Sequence, residues 1–272
     1  MAGEFSAIER IRALLPEPPP GETWIGDDAA VVRAPGGGWL LLATDLIVEG
    51  VDFRSDADPA WVGWKALAIN VSDIAAMGGR PAHALVAVAG PPDIDLDGLY
   101  AGLAEAAGTY RCPIVGGDLS NADQLMVSVA ITGSLPSDGQ PVLRSGARPG
   151  DGIFVTGPLG GGAASGYTVR PTARVEEGEA ARLAGATAMI DVSDGLAADL
   201  GHLLDSSGVG AVLDHVPVAP GATEEQAMSG GEDFELLFTG PPALGRLAIR
   251  IGTCTDDPSE RPAPAGWQHQ FR

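Results

Sequence analysis

Residues 59–77, PAWVGWKALAINVSDIAAM, constrain the fold of this chain more than any other stretch. The segment is apolar around almost its whole circumference, and a helix of that character is enclosed rather than laid on a surface. Asp58 and Pro59 supply a cap and a first-turn proline, and Gly78-Gly79 supply the stop. Only Lys65 and Asp73 bring charge into it. No apolar run in the chain reaches the ~20 residues needed to cross a bilayer, so the helix is predicted to lie inside a globular protein. With 272 residues the chain is long enough for one large domain or two ordinary ones.

The remaining periodicities give a mixed pattern. Phe5, Ile8, Ile11 and Leu15 have helical spacing, ended by the prolines of 16–20. Residues 39–44 read as a buried strand that runs into the polar positions Thr44, Asp45 and Glu49. A strand over 82–89, a helix over 96–109 and an alternating strand over 124–132 follow. Residues 137–152 are rich in Gly, Pro and charge and mark a boundary. Beyond it come a strand at 153–156, a glycine-rich turn at 157–166, a strand at 186–191, a helix at 195–204, and strands at 235–239 and 247–251. The expectation is an α/β (α+β) protein of two mixed domains, 1–142 and 143–272.

Net charge narrows the partners. The chain carries 36 acidic and 16 basic residues for a formal charge of -20, and Lys65 is its one lysine. Free nucleic acid needs a basic surface and is excluded as an expected partner. Phosphate compounds remain possible ligands if divalent cations stand between them and the carboxylates. Cys112 and Cys254 are too few and too far apart for a disulfide framework or a CxxC metal site. With no apolar leader in residues 1–12, the expectation is a reduced, cytoplasmic protein without membrane association.

Several carboxylates stand in apolar or glycine-rich surroundings rather than in charged runs. Asp27 and Asp28 lie in IGDDAAV, Asp45 follows a strand, Asp73 interrupts the apolar helix, Asp118 follows VGG, and Asp191 and Asp194 flank Ser193. Any one of them would serve as a cap or turn residue. Together, in a chain so short of cations, shared metal ions account for them better, because a lone buried carboxylate costs several kcal/mol. Oxygen donors without His or Cys suit Mg²⁺, with Mn²⁺ as a substitute. Gly116-Gly117 and residues 156–162 read as glycine turns able to admit phosphate oxygens to backbone N–H groups. There is neither a GxxxxGK[ST] loop nor a protein-kinase HRD and DFG set.

Taken in order, GDDAAV at 26–31, TDLIVEGV at 44–51, GWKALAINVSDIAAMGG at 63–79, GGD at 116–118, MIDVSDGL at 189–196 and GGEDFELLFT at 230–239 resemble the thiamine-monophosphate kinase family. The resemblance implies a two-domain α/β fold, a homodimer paired through its N-terminal sheets, and the substrates ATP and thiamine monophosphate. It also implies Mg²⁺ ions on Asp27, Thr44, Asp45, Asp73, Asp118, Asp191 and Asp194. Gly117, Asp118, Arg144 and Ser193 would contact the nucleotide, and Asp52, Glu232 and Trp267 the thiamine moiety. A phosphate-monoester acceptor is already ionised at neutral pH, so the reaction needs no general base. Asp52 departs from the family, which usually carries His there, Leu119 stands where Thr often follows the Asp, and residues 160–266 are short for the family.

Overall fold

The computed structural model describes residues 2–267 and 270–271. The 59–77 segment forms helix α2, Pro59–Ala76, with Asp58 accepting a hydrogen bond from the Ala60 N–H and a left-handed Gly78 just past its end. Most of its side chains, Lys65 included, are buried. Neighbouring elements press onto its backbone. A Cβ on Gly63 would lie 2.0 Å from the Leu99 carbonyl oxygen, and one on Gly102 1.8 Å from that of Ala60. Gly178 makes the same kind of approach from the other half of the chain, where a Cβ would meet the Ala75 oxygen at 2.2 Å. Only glycine permits such spacing.

Two five-stranded sheets flank this helix. Before it come the two-residue strand β1 (Ala2–Gly3), helix α1 (Glu4–Arg12), β2 (Ala30–Arg33) and β3 (Trp39–Val48). After it come β4 (Arg80–Gly90), α3 (Leu96–Tyr110), β5 (Ile114–Asn121) and β6 (Met126–Ser134). The first sheet has the order β2-β3-β6-β4-β5, antiparallel except for the parallel pair β4 and β5. Its inner face packs on α2, with α3 alongside. On the outer face Leu42, Leu46 and Leu85 are exposed, and on the edge strand β5 so are Val115 and Leu119.

The second sheet is built from β7 (Gly152–Val155), β8 (Ala188–Asp191), β9 (Gly210–Leu213), β10 (Leu236–Gly240) and β11 (Ile249–Thr255), in the order β8-β10-β7-β11-β9. All its pairs are antiparallel. Helices α4 (Gly161–Ala164), α5 (Val175–Leu183), α6 (Leu196–Ser207) and α7 (Glu224–Ser229) connect or cover these strands, and a 3₁₀ turn, Pro242–Arg246, leads into β11. Strand β12 (Gln270–Phe271) pairs with β1 and so joins the two ends of the chain. Strands β7, β8 and β10 are buried at every position, which is why they read as continuous apolar runs rather than alternating ones.

The mixed α/β fold expected from the sequence is the fold observed. Some local expectations change. Gly116-Gly117 is not a turn but part of β5, and a Cβ on Gly117 would sit 1.8 Å from the Val86 oxygen of the neighbouring strand. Glycine lowers strand propensity and hides such a strand from pattern reading. Strand β3 runs on to Val48, so Asp45 is a mid-strand residue rather than one at a strand end. Helices α5 and α7 and strands β2 and β9 have patterns too short to be expected. Cys112 and Cys254 are buried free thiols.

Candidate active site

A cavity of about 900 Å³ opens between the two sheets, walled by residues of β3, the turn that follows it, α2, the β8–α6 loop and the loop before β10. Local structure aims the charged groups into it. On β3 the alternation of a strand sends Asp45 to the inner face with Leu41 and Ile47, and Thr44 to the exposed outer face with Leu42 and Leu46. The Asp45 N–H donates to Asn70 Oδ1 at 2.9 Å, and the Asn70 amide donates in turn to the Ala66 carbonyl at 2.9 Å within α2. Ser72, one residue before Asp73, donates to Asp191 Oδ2 at 2.5 Å and ties α2 to the end of β8.

Asp28, Asp73 and Asp191 converge so that one carboxylate oxygen from each lies within 4.8 Å of the others. Burial pushes the pKa of Asp191 up to about 7, with Asp28 adding to the rise. Asp45 is pushed to about 6, again mainly by burial, although a hydrogen bond with Asp73 pulls the other way. Asp73 lies well above the carboxylate range because it is buried and faces Asp45, Asp191 and Asp28. Asp27 rises to about 7 through burial and the charge of Asp28. Such a set of hard, mutually repelling oxygen donors is poorly stable when fully ionised and fits one or more Mg²⁺-sized ions.

Arg144 is the cation that reaches this end. Its guanidinium donates to both oxygens of Asp28, at 2.8 and 3.3 Å, and its backbone N–H donates to Asp27. Burial opposes its charge, but Asp28, Asp27 and Asp191 outweigh that and hold its pKa above the usual arginine value. The β8–α6 loop is braced by Asp199, whose Oδ2 accepts the N–H groups of Asp194 and Gly195, both at 3.1 Å. Burial, then Asp194 and Asp191, raise the pKa of Asp199 well above the carboxylate range.

The far end is walled by Phe53, Trp61, Tyr167, Phe234 and Trp267, the last half exposed at the rim. There Lys65 donates to both oxygens of Glu232 and to the Asp52 carbonyl, each at 2.7 Å. The Asp52 carboxylate accepts the Val48 N–H at 2.7 Å and closes the turn after β3. Asp233, next to Glu232, accepts from the N–H groups of Gly160 and Gly162, so the 156–162 loop is spanned by a carboxylate.

Of the residues expected at the site, Asp45, Asp52, Asp73, Asp191, Ser193, Asp194, Glu232 and Trp267 line the cavity. Asp27 and Arg144 stand behind its wall through Asp28. Gly117 and Asp118 lie elsewhere. The cross-strand row Asp45, Val129, Val86, Gly117 puts Gly117 three strand spacings, about 14 Å, from Asp45, and Asp118 lies in the next row with Ala87, Ser128 and Leu46, on the outer face. Lys65, Ser72 and Asp199 were given no site role from sequence, and Asp28, counted in the acidic set, was not among the ligands the resemblance implied. Asp28 adjoins an expected ligand and Lys65 is the sole lysine, which were the available signals.

A mixed sheet packed on a buried helix, facing a carboxylate-lined cavity, defines the structural class, and residues 26–135 match the family described as AIR synthase related protein, N-terminal domain. The chain is 40% identical to the thiamine-monophosphate kinase of Rhodopirellula baltica, over 88% of this chain and 82% of that one. It is 33% identical to the Aquifex aeolicus thiamine-monophosphate kinase, over 98% of both. That alignment spans 311 positions, so the shorter length of this chain arises from gaps inside the matched region. The solved structure of AaThiL complexed with AMPPCP and TMP superposes with a TM-score of 0.88 at 33% identity, covering 98% of this chain and 97% of that one. This chain belongs to the thiamine-monophosphate kinase family. Among the described residues no helix is long and apolar enough to cross a membrane.

Proposed function

We propose that this protein transfers the γ-phosphoryl group of ATP to thiamine monophosphate, with Mg²⁺ held on its aspartates. The observation that carries the reading is the convergence of Asp28, Asp73 and Asp191 at one end of a cavity whose other end is aromatic and acidic. It is supported by the family and by the nucleotide analogue and TMP bound to the AaThiL relative. An oxygen of the acceptor phosphate forms a bond to the γ-phosphorus as the bond to the β-phosphate oxygen breaks, giving thiamine diphosphate and ADP.

The chemistry asks mainly for alignment and charge neutralisation. Bound Mg²⁺ would supply the positive charge that offsets the repulsion between two polyanions. Asp27, Asp28, Asp45, Asp73, Asp191 and Asp194 would hold it, and Arg144 and Ser193 would meet the nucleotide. The acceptor is already ionised, so no side chain has to remove a proton. Glu232, Trp267 and the Asp52 turn would receive the thiamine rings, where a carboxylate and aromatic faces favour a cationic ring.

The domain division at 142/143 and a homodimer belong to the same proposal. The open apolar face of the first sheet supports pairing through that sheet. On this reading Thr44, Gly117 and Asp118, which lie away from the cavity of their own copy, serve a site shared with the second copy. The test is direct: purified protein with ATP and thiamine monophosphate should yield thiamine diphosphate and ADP with Mg²⁺ and none with EDTA. ATP binding without diphosphate product would overturn the assignment.

A further inference from the structure

Lys65 is 2% exposed, and its ammonium has three donors directed at Glu232 Oε1, Glu232 Oε2 and the Asp52 carbonyl. The Trp61 ring lies 5.4 Å from the same nitrogen. These partners come from different parts of the chain: Asp52 from the turn after β3, Lys65 and Trp61 from α2, and Glu232 from the loop between α7 and β10. Glu232 has a left-handed backbone, φ 54°, unfavourable for a residue with a side chain. Its N–H donates to the Ser193 carbonyl at 2.7 Å, so backbone and carboxylate are pinned separately.

We infer that Lys65 is a positioning residue for the acceptor substrate, holding the Glu232 carboxylate and the Asp52 turn as one fixed wall of the cavity. A carboxylate offers about four acceptor directions, and the ammonium takes two of them. Glu232 also lines the cavity and its side chain is 29% exposed, so its remaining lone pairs face the bound molecule. They suit a ring that is cationic or carries an amino group. A carboxylate left there without Lys65 would be half-buried, unpaired and free to turn. The inference rests on the kinase reading above and adds to it a residue that selects the acceptor rather than the nucleotide.

The test compares Lys65→Met, Lys65→Arg, Glu232→Gln and the double variant Lys65→Met/Glu232→Gln. Lys65→Met should raise KM for thiamine monophosphate roughly tenfold or more, the scale expected when a buried charge loses its partner, with KM for Mg-ATP nearly unchanged. Lys65→Arg should recover part of the loss. In the Glu232→Gln background the Lys65 substitution should add nothing, because the two act as a unit. Quenching of tryptophan fluorescence by thiamine monophosphate alone, without ATP, gives a second readout beside turnover. An unchanged KM, or equal rises in both KM values with a lower Tm, would overturn the inference and leave Lys65 a structural tether. Should Lys65→Met not fold, Glu232→Gln and Lys65→Arg decide it by the same split between the two KM values. If the unsubstituted protein converts no thiamine monophosphate, the kinase reading fails and this inference falls with it. If that protein is active and Lys65→Met keeps its KM, only the role of Lys65 fails.

Discussion

At one end of the cavity Asp28, Asp73 and Asp191 crowd together with Arg144 as the cation beside them, while at the other Glu232 is paired with Lys65. Both ends bury carboxylates, and both use α2 to do it, since Asp73 and Lys65 lie on the same helix. The acidic end carries an excess of negative charge and burial raises the pKa values there, whereas at Glu232 Lys65 opposes the rise that burial causes. The Glu232 end is already neutral as a pair and braced from both sheets. On the proposed reading the contrast separates a region whose stability depends on its ligands from one that is organised before they arrive.

Removing one carboxylate of the acidic cluster should break the first half of that contrast most severely. Asp73→Asn should lower turnover by about three orders of magnitude, the scale of losing a strong electrostatic contact in the transition state. It should also leave the metal-free protein as stable as before or more so, since one repelling charge is gone; thermal melting in EDTA checks this. Normal turnover would refute the shared-metal reading.

The position of Asp118 sharpens it. If Asp118 serves the site of a second copy, Asp118→Asn and Asp73→Asn should each be inactive, yet a mixture re-equilibrated as dimers should recover about a quarter of normal activity. In a two-fold dimer half the molecules are then mixed, and one of their two sites is intact. No recovery would place Asp118 outside a shared site.

pH gives a smaller effect with a defined sign. The pKa values of Asp27, Asp45 and Asp191 are raised in the folded protein to about 7, 6 and 7, so the folded state takes up protons more readily than the unfolded chain. Their contribution to stability is fully present below the ordinary carboxylate pKa of 3.8 and is lost as pH rises through 6 to 7. On the proposed reading Mg²⁺ binds the ionised forms, so the gap in Tm between Mg²⁺ and EDTA should widen over that interval. A gap independent of pH would show that these carboxylates are not the ligands.

Trp267 should matter least. It stands half exposed at the rim, and Trp267→Ala should raise KM for thiamine monophosphate only a few-fold, as for a partly exposed cation–π contact. A large loss would move the ring to a closer role than its exposure suggests.

How much of this was legible beforehand depended on the range of the interaction. Helix α2, with its proline, cap and glycine stop, and strand β6, with its alternation, carry their own local signals. The aspartates were legible as a set because carboxylates in apolar segments are costly without partners. The glycine pair in β5 misled, since a strand whose residues have no side chain to alternate gives no pattern. Asp28 stood beside Asp27 with nothing to say which would enter the cluster; Arg144 holds both from far along the chain, Asp28 by its guanidinium and Asp27 by its backbone N–H.

Short stretches of the chain were enough to specify a mixed α/β protein around one enclosed helix, an acidic chain suited to divalent cations, and a family resemblance carried by ordered motifs. Those are properties of short windows, where periodicity, capping and composition act. The folded structure was needed to show which carboxylates meet, that Lys65 grips a glutamate 167 residues away, and that Asp118 stands at the far side of the sheet from Asp45. Each depends on how far apart in space the folded backbone sets residues distant in the chain, and electrostatic coupling falls with that distance.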